Sequence, residues 1–277
     1  VKEMAMFGNG EYKRFLSMPN RRYDYCIVTN FFEIIKVLEI IYYGFLKHDP
    51  VRQIVEVGIY QVNEDKYKAF FRGKVEEIKD PISFVNNIIF ENPFFEENIL
   101  AMHGAVVEVL GKAYLFLGET EAGKTTLASY LINKGFNYMA EDCILIDYEQ
   151  DVVNPYPNPL YLRNGGVEIL ENNGVFVPLR YVDYFSFKRY IYIPQNCQNV
   201  PQQIGSIFFI KRSMNRNKVS AIKAEDAFFR LIKSTIIQYS LRHPYIREFK
   251  RLSTLPCYIL EYADLSFVKN AVEEMSG

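Results

Sequence analysis

The sequence has no tryptophan, only three histidines and only four cysteines among 277 residues. Cys26, Cys143, Cys197 and Cys257 stand far apart without a C-x-x-C pair, and His48, His103 and His243 are scattered. That spacing excludes a zinc cage of the finger type and speaks against a disulfide framework, so a reducing cytoplasm is the expected compartment. Neither sign of charge dominates: 32 basic residues against 33 acidic ones leave a net charge of −1. No basic tract is available for a polyanion, and nucleic acid is not an expected partner. Long apolar runs are also missing. The strongest, FFEIIKVLEIIYYGF, is interrupted by Glu33, Lys36 and Glu39 at helical spacing, which reads as an amphipathic helix and not as a membrane span. The opening VKEMAMFGNGEYKRF lacks the uninterrupted apolar core of a secretory signal. Internal repeats and low-complexity tracts are absent.

What is present is an ordinary folded composition, 49% hydrophobic and 23% charged, in a chain long enough for one large or two small domains. Residues 1–97 read as a small α+β region, a candidate for docking a partner or substrate. A strand is predicted at Tyr23–Val28, a helix at Phe31–Phe45, strands in IVEVGIYQV and YKAFFRGKVEEI around the turn NEDK, and a helix opened by Asp80 and Pro81. Residues 98–277 read as an α/β domain. GAVVEVL and AYLFL form a hairpin around Gly111-Lys112, a helix runs from Lys124 to Lys134, and FNYMAEDCILIDYE continues as strand. NPYPNPLYLRNGG reads as a loop, YIYIP and IGSIFFIKR as strands, and Ala224–Ser240 and a segment from about Asp264 as helices.

The chemistry concentrates between the two strands and the first of these helices. Gly118-Glu119-Thr120-Glu121-Ala122-Gly123-Lys124-Thr125, followed by Thr126, fits G-x-x-x-x-G-K-[ST], and it sits between a strand and a helix, the context that gives the pattern meaning. Backbone N–H groups and the helix N-terminus there make a nest for phosphate oxygens. Lys124 would reach the β- and γ-phosphates of ATP, and the Thr125 hydroxyl would ligate Mg2+. The strand FNYMAED returns after one tight turn and is expected beside the loop strand, bringing Glu141 and Asp142 to the phosphates. One of these acids can hold magnesium and one can accept a proton from an attacking hydroxyl. Alternation along a strand allows only one to face the γ-phosphate directly. His103, just ahead of the hairpin, is a candidate hydrogen-bond donor to transferring oxygens.

MHGAVVEVLGKAYLFLGETEAGKTTLASYLINKGFNYMAEDCILID resembles the catalytic core of the HPr kinase/phosphorylase family, and most closely its shorter relatives, some of which are peptide-tailoring kinases. The likeness extends more weakly through NPYPNPLYLRNGG, VPQQIGSIFFIKR, KAEDAFFRLIKS and LPCYILEYADLSFVKNAV, and the family is related to phosphoenolpyruvate carboxykinase. The resemblance implies a P-loop domain with a mixed sheet. It implies Asp142 as proton acceptor, His103 as the active-site histidine, Lys124 as the loop lysine, and Arg163 as an arginine for phosphate or substrate. Departures are Glu141 where the family has aspartate, Thr120-Glu121 where it has serine-glycine, and Tyr161 where it has a metal-binding glutamate. Glu121 places negative charge beside a polyanion and costs affinity unless its side chain points away. The N-terminal region does not resemble that of HPr kinase, which puts HPr itself in doubt as substrate.

The reading is therefore a Mg2+-dependent ATP-utilising kinase acting on a hydroxyl, a serine of a peptide or small protein. The alternatives are a small-molecule kinase or phosphorylase, and a non-catalytic nucleotide-binding interaction protein. A homo-oligomer stays open.

Overall fold

The computed structural model describes residues 11–18, 22–43, 45–47, 49–64, 66–89, 98–184, 187–236 and 243–276. The chain divides into two units: Val1–Glu97 with Tyr181–Lys188, and Asn98–Arg180 with Arg189–Gly277. The architecture is mixed α/β, with mixed sheets. None of the described helices is long and apolar enough to cross a membrane.

The first unit contains β1 (Tyr12–Leu16), β2 (Asp24–Thr29), α1 (Phe32–Ile41), β3 (Leu46–Lys47), β4 (Ile54–Asn63), β5 (Lys66–Phe71), β6 (Lys74–Ile78) and α2 (Pro81–Ile89). The strands form one sheet in the order β3-β1-β2-β4-β5-β6. Its single parallel pairing, β2 with β4, needs a crossover, and α1 lies within that connection. β2 is buried along its whole length, including Asp24. That carboxylate accepts from the Val51 and Arg52 amides at 2.7 and 2.9 Å and from Arg52 Nη1 at 3.2 Å. Burial raises its pKa, but these hydrogen bonds outweigh burial and leave it lowered. α2 starts as its sequence dictates: Asp80 Oδ1 accepts from the Ile82 and Ser83 amides at 3.0 Å each, and Pro81 fills the first helical position. α1 stops at Ile41, short of the predicted Phe45, because Phe45 N–H turns back to the Tyr42 carbonyl.

The second unit begins with β7 (Ile99–Met102), β8 (Gly104–Val109), β9 (Lys112–Leu117), α3 (Lys124–Asn133), β10 (Asn137–Glu141), β11 (Ile144–Asp147), β12 (Val152–Asn154), β13 (Leu160–Leu162) and α4 (Asn164–Asn172). β14 (Leu179–Tyr184) and β15 (Phe187–Tyr192) follow, and their stretch Tyr181–Lys188 belongs with the first unit. β16 (Gln203–Arg212), β17 (Lys218–Ala221), α5 (Ala224–Lys233), α6 (His243–Ser253), β18 (Cys257–Tyr262) and α7 (Leu265–Ser276) complete the chain. The hairpin β8–β9 turns at Leu110 and Gly111, with φ of 50° and 78°, so Lys112 already belongs to the strand. The principal sheet runs β10-β8-β9-β16-β18-β17. β16 is parallel to both β9 and β18.

Three expectations are corrected here. β10 does not lie beside the loop strand: the hairpin already gives one edge of β9 to β8 and β16 takes the other, so β10 pairs with β8. FNYMAEDCILIDYE is two strands in two sheets, β11 pairing with β7 and β12. The stretch read as a loop contains β13 and the start of α4, with both glycines of Asn164-Gly165-Gly166 in its first turn. α5 ends at Lys233, and the remainder of its predicted span, to Ser240, lies partly outside the described residues.

The main core fills one face of the principal sheet. Phe116, Phe208, Leu260 and Tyr262 pack there with Leu127 and Leu131 of α3, Leu170 of α4 and Val268 of α7.

Candidate active site

β9 delivers the chain to Gly118, and α3 starts at Lys124. Space at the glycines is tight: a Cβ on Gly118 would lie 3.0 Å from the Ile210 carbonyl oxygen. Gly123 has φ 89°, and a Cβ there would lie 2.6 Å from Tyr262 Oη, which donates to the Ala122 carbonyl at 3.1 Å. The first amides of α3 have no partners within the helix and point out of its end, an arrangement suited to an anion.

Lys124 is 6% exposed. Its Nζ donates to the carbonyls of Gly118 and Glu119, both at 2.9 Å, which holds the ammonium across the loop. Burial lowers its pKa, while Asp142 and then Glu141 pull it back up. The next residue turns to the acids: the Thr125 hydroxyl donates to Glu141 Oε1 at 2.5 Å, leaving the lone pairs of Thr125 free. Glu141 is 1% exposed, and its Oε2 has no hydrogen-bond partner among the described residues. Burial first, and Asp142 second, push its carboxyl pKa well up. Asp142 is placed differently, with φ 62° and a side chain about half exposed.

A ladder of two long strands sets this pair against His103. β7 and β8 run antiparallel to β11 and β10, with Met102 opposite Ile144 and Ala105 opposite Glu141. The register is the same on both sides of a break, three residues on along each strand. His103 and Asp142 occupy the break, where both strands leave one sheet for the other. His103 Nδ1 lies 3.1 Å from the Asp142 carbonyl oxygen and 4.0 Å from its Oδ1. A carbonyl only accepts, so Nδ1 carries the proton, and neutral His103 has an acceptor at Nε2. Donation from Nε2 to a phosphoryl oxygen therefore requires the imidazolium.

The remaining predicted residues divide. Glu121, with φ 68°, forms an ion pair with Arg163, and both side chains are mostly exposed. The charge that reads as unfavourable in the loop thus has a counter-ion, and Arg163 reaches the loop through it. Thr126 faces away from the acids: a Cβ on Gly166 would meet its Oγ1 at 2.9 Å, so glycine there lets α4 approach α3. Glu119, Thr120, Glu121 and Ala122 line an open cleft of about 1120 Å³ with His103.

The opposite wall of that cleft was not anticipated. It is formed by Asp226, Phe229, Arg230 and Lys233 of α5, with Phe209 and Arg212 from β16. The signal was the spacing i, i+3, i+4, i+7, which puts those four residues on one helical face, opposite buried Ala227 and Leu231. Arg230 lies over the Phe209 ring at 5.7 Å. The end of α5 is fixed to the site because His103 N–H donates to the Ser234 carbonyl at 2.6 Å. Tyr161, where the resemblance led to expectation of a glutamate, has its phenol pushed well up by burial and then by Asp142 and Glu141. A smaller cavity of about 220 Å³ opens beside Gly123 and Thr126.

Among the described residues no group of three His, Cys, Asp or Glu side chains is placed to hold a metal. Two carboxylates and a hydroxyl are what the site offers. That set suits a hard cation that takes its other ligands from phosphate and water.

No family model matches the chain, and no curated protein does. Among solved structures, the HPr(Ser) kinase/phosphatase from Coxiella burnetii is similar at 12% identity and a TM-score of 0.31, over 64% of this chain and 99% of that one. A similarity of that size assigns neither a family nor an activity.

Proposed function

We propose that this chain is a magnesium-dependent kinase that transfers the γ-phosphoryl group of ATP to a hydroxyl, a serine of a peptide or small protein. The observation that carries the proposal is one constellation: a phosphate-type loop whose Lys124 is pinned across it, and whose Thr125 hydroxyl bonds an acid at the break that also holds Asp142 and His103. The loop amides and Lys124 would bind the β- and γ-phosphates. Asp142, the solvent-accessible acid, would take the proton of the acceptor hydroxyl as its oxygen bonds to the γ-phosphorus, with ADP as leaving group.

The residues fit magnesium. Glu141 Oε2 is a buried oxygen without a hydrogen-bond partner among the described residues, and the Thr125 hydroxyl, bonded to the other oxygen of that carboxyl group, retains its lone pairs. Thr125, Glu141 and Asp142 would hold the ion, which when bound neutralises charge on the phosphate oxygens. In this arrangement Glu141 also orients the Thr125 hydroxyl. His103 as imidazolium and Arg163, exchanging Glu121 for phosphate, would add positive charge around the equatorial oxygens. The open cleft lined by His103 and the phosphate-type loop would receive the acceptor.

The test is incubation with ATP, Mg2+ and serine-containing peptides, read by mass spectrometry for the gain of one phosphoryl group. Asp142→Asn should retain nucleotide binding and lose about 10²-fold or more in transfer, the usual contribution of a general base. Undiminished transfer by that variant would remove Asp142 from the role.

A further inference from the structure

We infer that the smaller cavity, beside Gly123 and Thr126, receives the nucleobase of the bound nucleotide; the inference rests on the phosphate-loop reading proposed above. The first observation is directional. Thr125 and Thr126 are neighbours on α3, yet Thr125 reaches Glu141 while Thr126 faces Gly166 of α4 and lines this cavity. A triphosphate lying along the loop amides with its γ end toward Asp142 has its α end on the Thr126 side. The rest of the nucleotide then leaves toward the cavity.

The sheet gives the same direction. β9, β16 and β18 are parallel, and their C-terminal ends meet here, Arg212 closing β16 and Tyr262 closing β18. Ligands of open α/β sheets sit in the crevice outside the carboxyl ends of such strands.

The lining has the chemistry of a flat heterocycle. Ile169 and Leu265 offer apolar faces, and Asn172 offers an exposed amide that can both donate and accept at a ring edge. Arg212 borders this cavity and the large cleft, at the junction where sugar and α-phosphate would pass. At about 220 Å³ the cavity admits a base but not a folded peptide segment. The acceptor is thereby left to the large cleft, on the side of His103.

The decisive comparison is between Mg–ATP and Mg–tripolyphosphate, which has the phosphates and no base, by isothermal titration on the full chain. Asn172→Trp fills the cavity from an exposed position, and Ile169→Ala removes one apolar face. Both should weaken ATP binding tenfold or more while tripolyphosphate stays within twofold, and retained tripolyphosphate binding also shows that the variants are folded. Lys124→Ala should weaken both ligands. ATP binding unchanged in the cavity variants, or lost in step with tripolyphosphate, overturns the base site alone. Failure of the unaltered chain to bind tripolyphosphate overturns the phosphate loop and the base site together.

Discussion

Gly123→Ala tests whether the loop is held by Tyr262 and not merely next to it. Two costs arise. At φ 89° an L-residue carries roughly 1–2 kcal/mol of left-handed strain. The new Cβ also lies 2.6 Å from Tyr262 Oη, with the ring carbon behind it at 3.9 Å, an ordinary contact distance. Tyr262 is 3% exposed and its hydroxyl is bonded to the Ala122 carbonyl, so it cannot swing aside. Overpacking of this kind costs about 1–3 kcal/mol, which brings the total to about 2–5 kcal/mol. Tyr262→Phe alone should cost about 1 kcal/mol for the lost hydrogen bond. In the double variant the oxygen is gone, so the strain remains but the clash does not, and the coupling should be about 1–3 kcal/mol in the rescuing direction. Gly111→Ala isolates the strain, because at φ 78° no atom lies within 4 Å of its Cβ. Equilibrium urea unfolding of the four variants gives the comparison. Strict additivity of Gly123→Ala and Tyr262→Phe, or a Gly123→Ala cost no greater than that of Gly111→Ala, would refute the reasoning.

Glu121→Gln should leave stability within about 0.5 kcal/mol, because its ion pair with Arg163 is exposed. The same change should raise tripolyphosphate affinity roughly threefold to tenfold, the effect of one unit charge near a polyanion in a largely solvated site; unchanged or weaker binding in a calorimeter contradicts the loop's role. Glu141 predicts a pH dependence of known sign. Its folded pKa is raised, by burial before Asp142, so its contribution to stability is complete below the unfolded value near 4.5 and declines as pH rises toward the folded one. In magnesium-free urea titrations the difference between the unaltered chain and Glu141→Gln should therefore move steadily against the unaltered chain from pH 4.5 upward, and a flat difference counts against it.

The loop and the helix after it were legible because their signals are local: a strand, two glycines, a lysine and a threonine in order. The neighbours of the loop strand were not. Whether β10 lies beside β9 or β8 depends on which edges are already taken, and that is settled by β16, far along the chain. α4 was hidden by Gly165 and Gly166, since glycine is a poor helix former and Asn-Gly reads as a turn; only the approach of Thr126 explains Gly166. In the site, Glu141 and Asp142 were legible as a pair, but the burial of the one and the positive φ of the other were not. The stripe on α5 stands in the sequence at helical spacing, but spacing alone does not tell that a cleft lies over it.

The break in the ladder has a kinetic consequence. The hydrogen bond from His103 to the Asp142 carbonyl closes 39 residues of chain, and it is flanked by Met102 opposite Ile144 on one side and Ala105 opposite Glu141 on the other. Neither the loop helix nor the β8–β9 turn can form it alone. The imidazole resonances of His103 should therefore reach their native positions only when both sheets have joined, after the signals of the hairpin, so that a single ring reports the completion of the site during refolding.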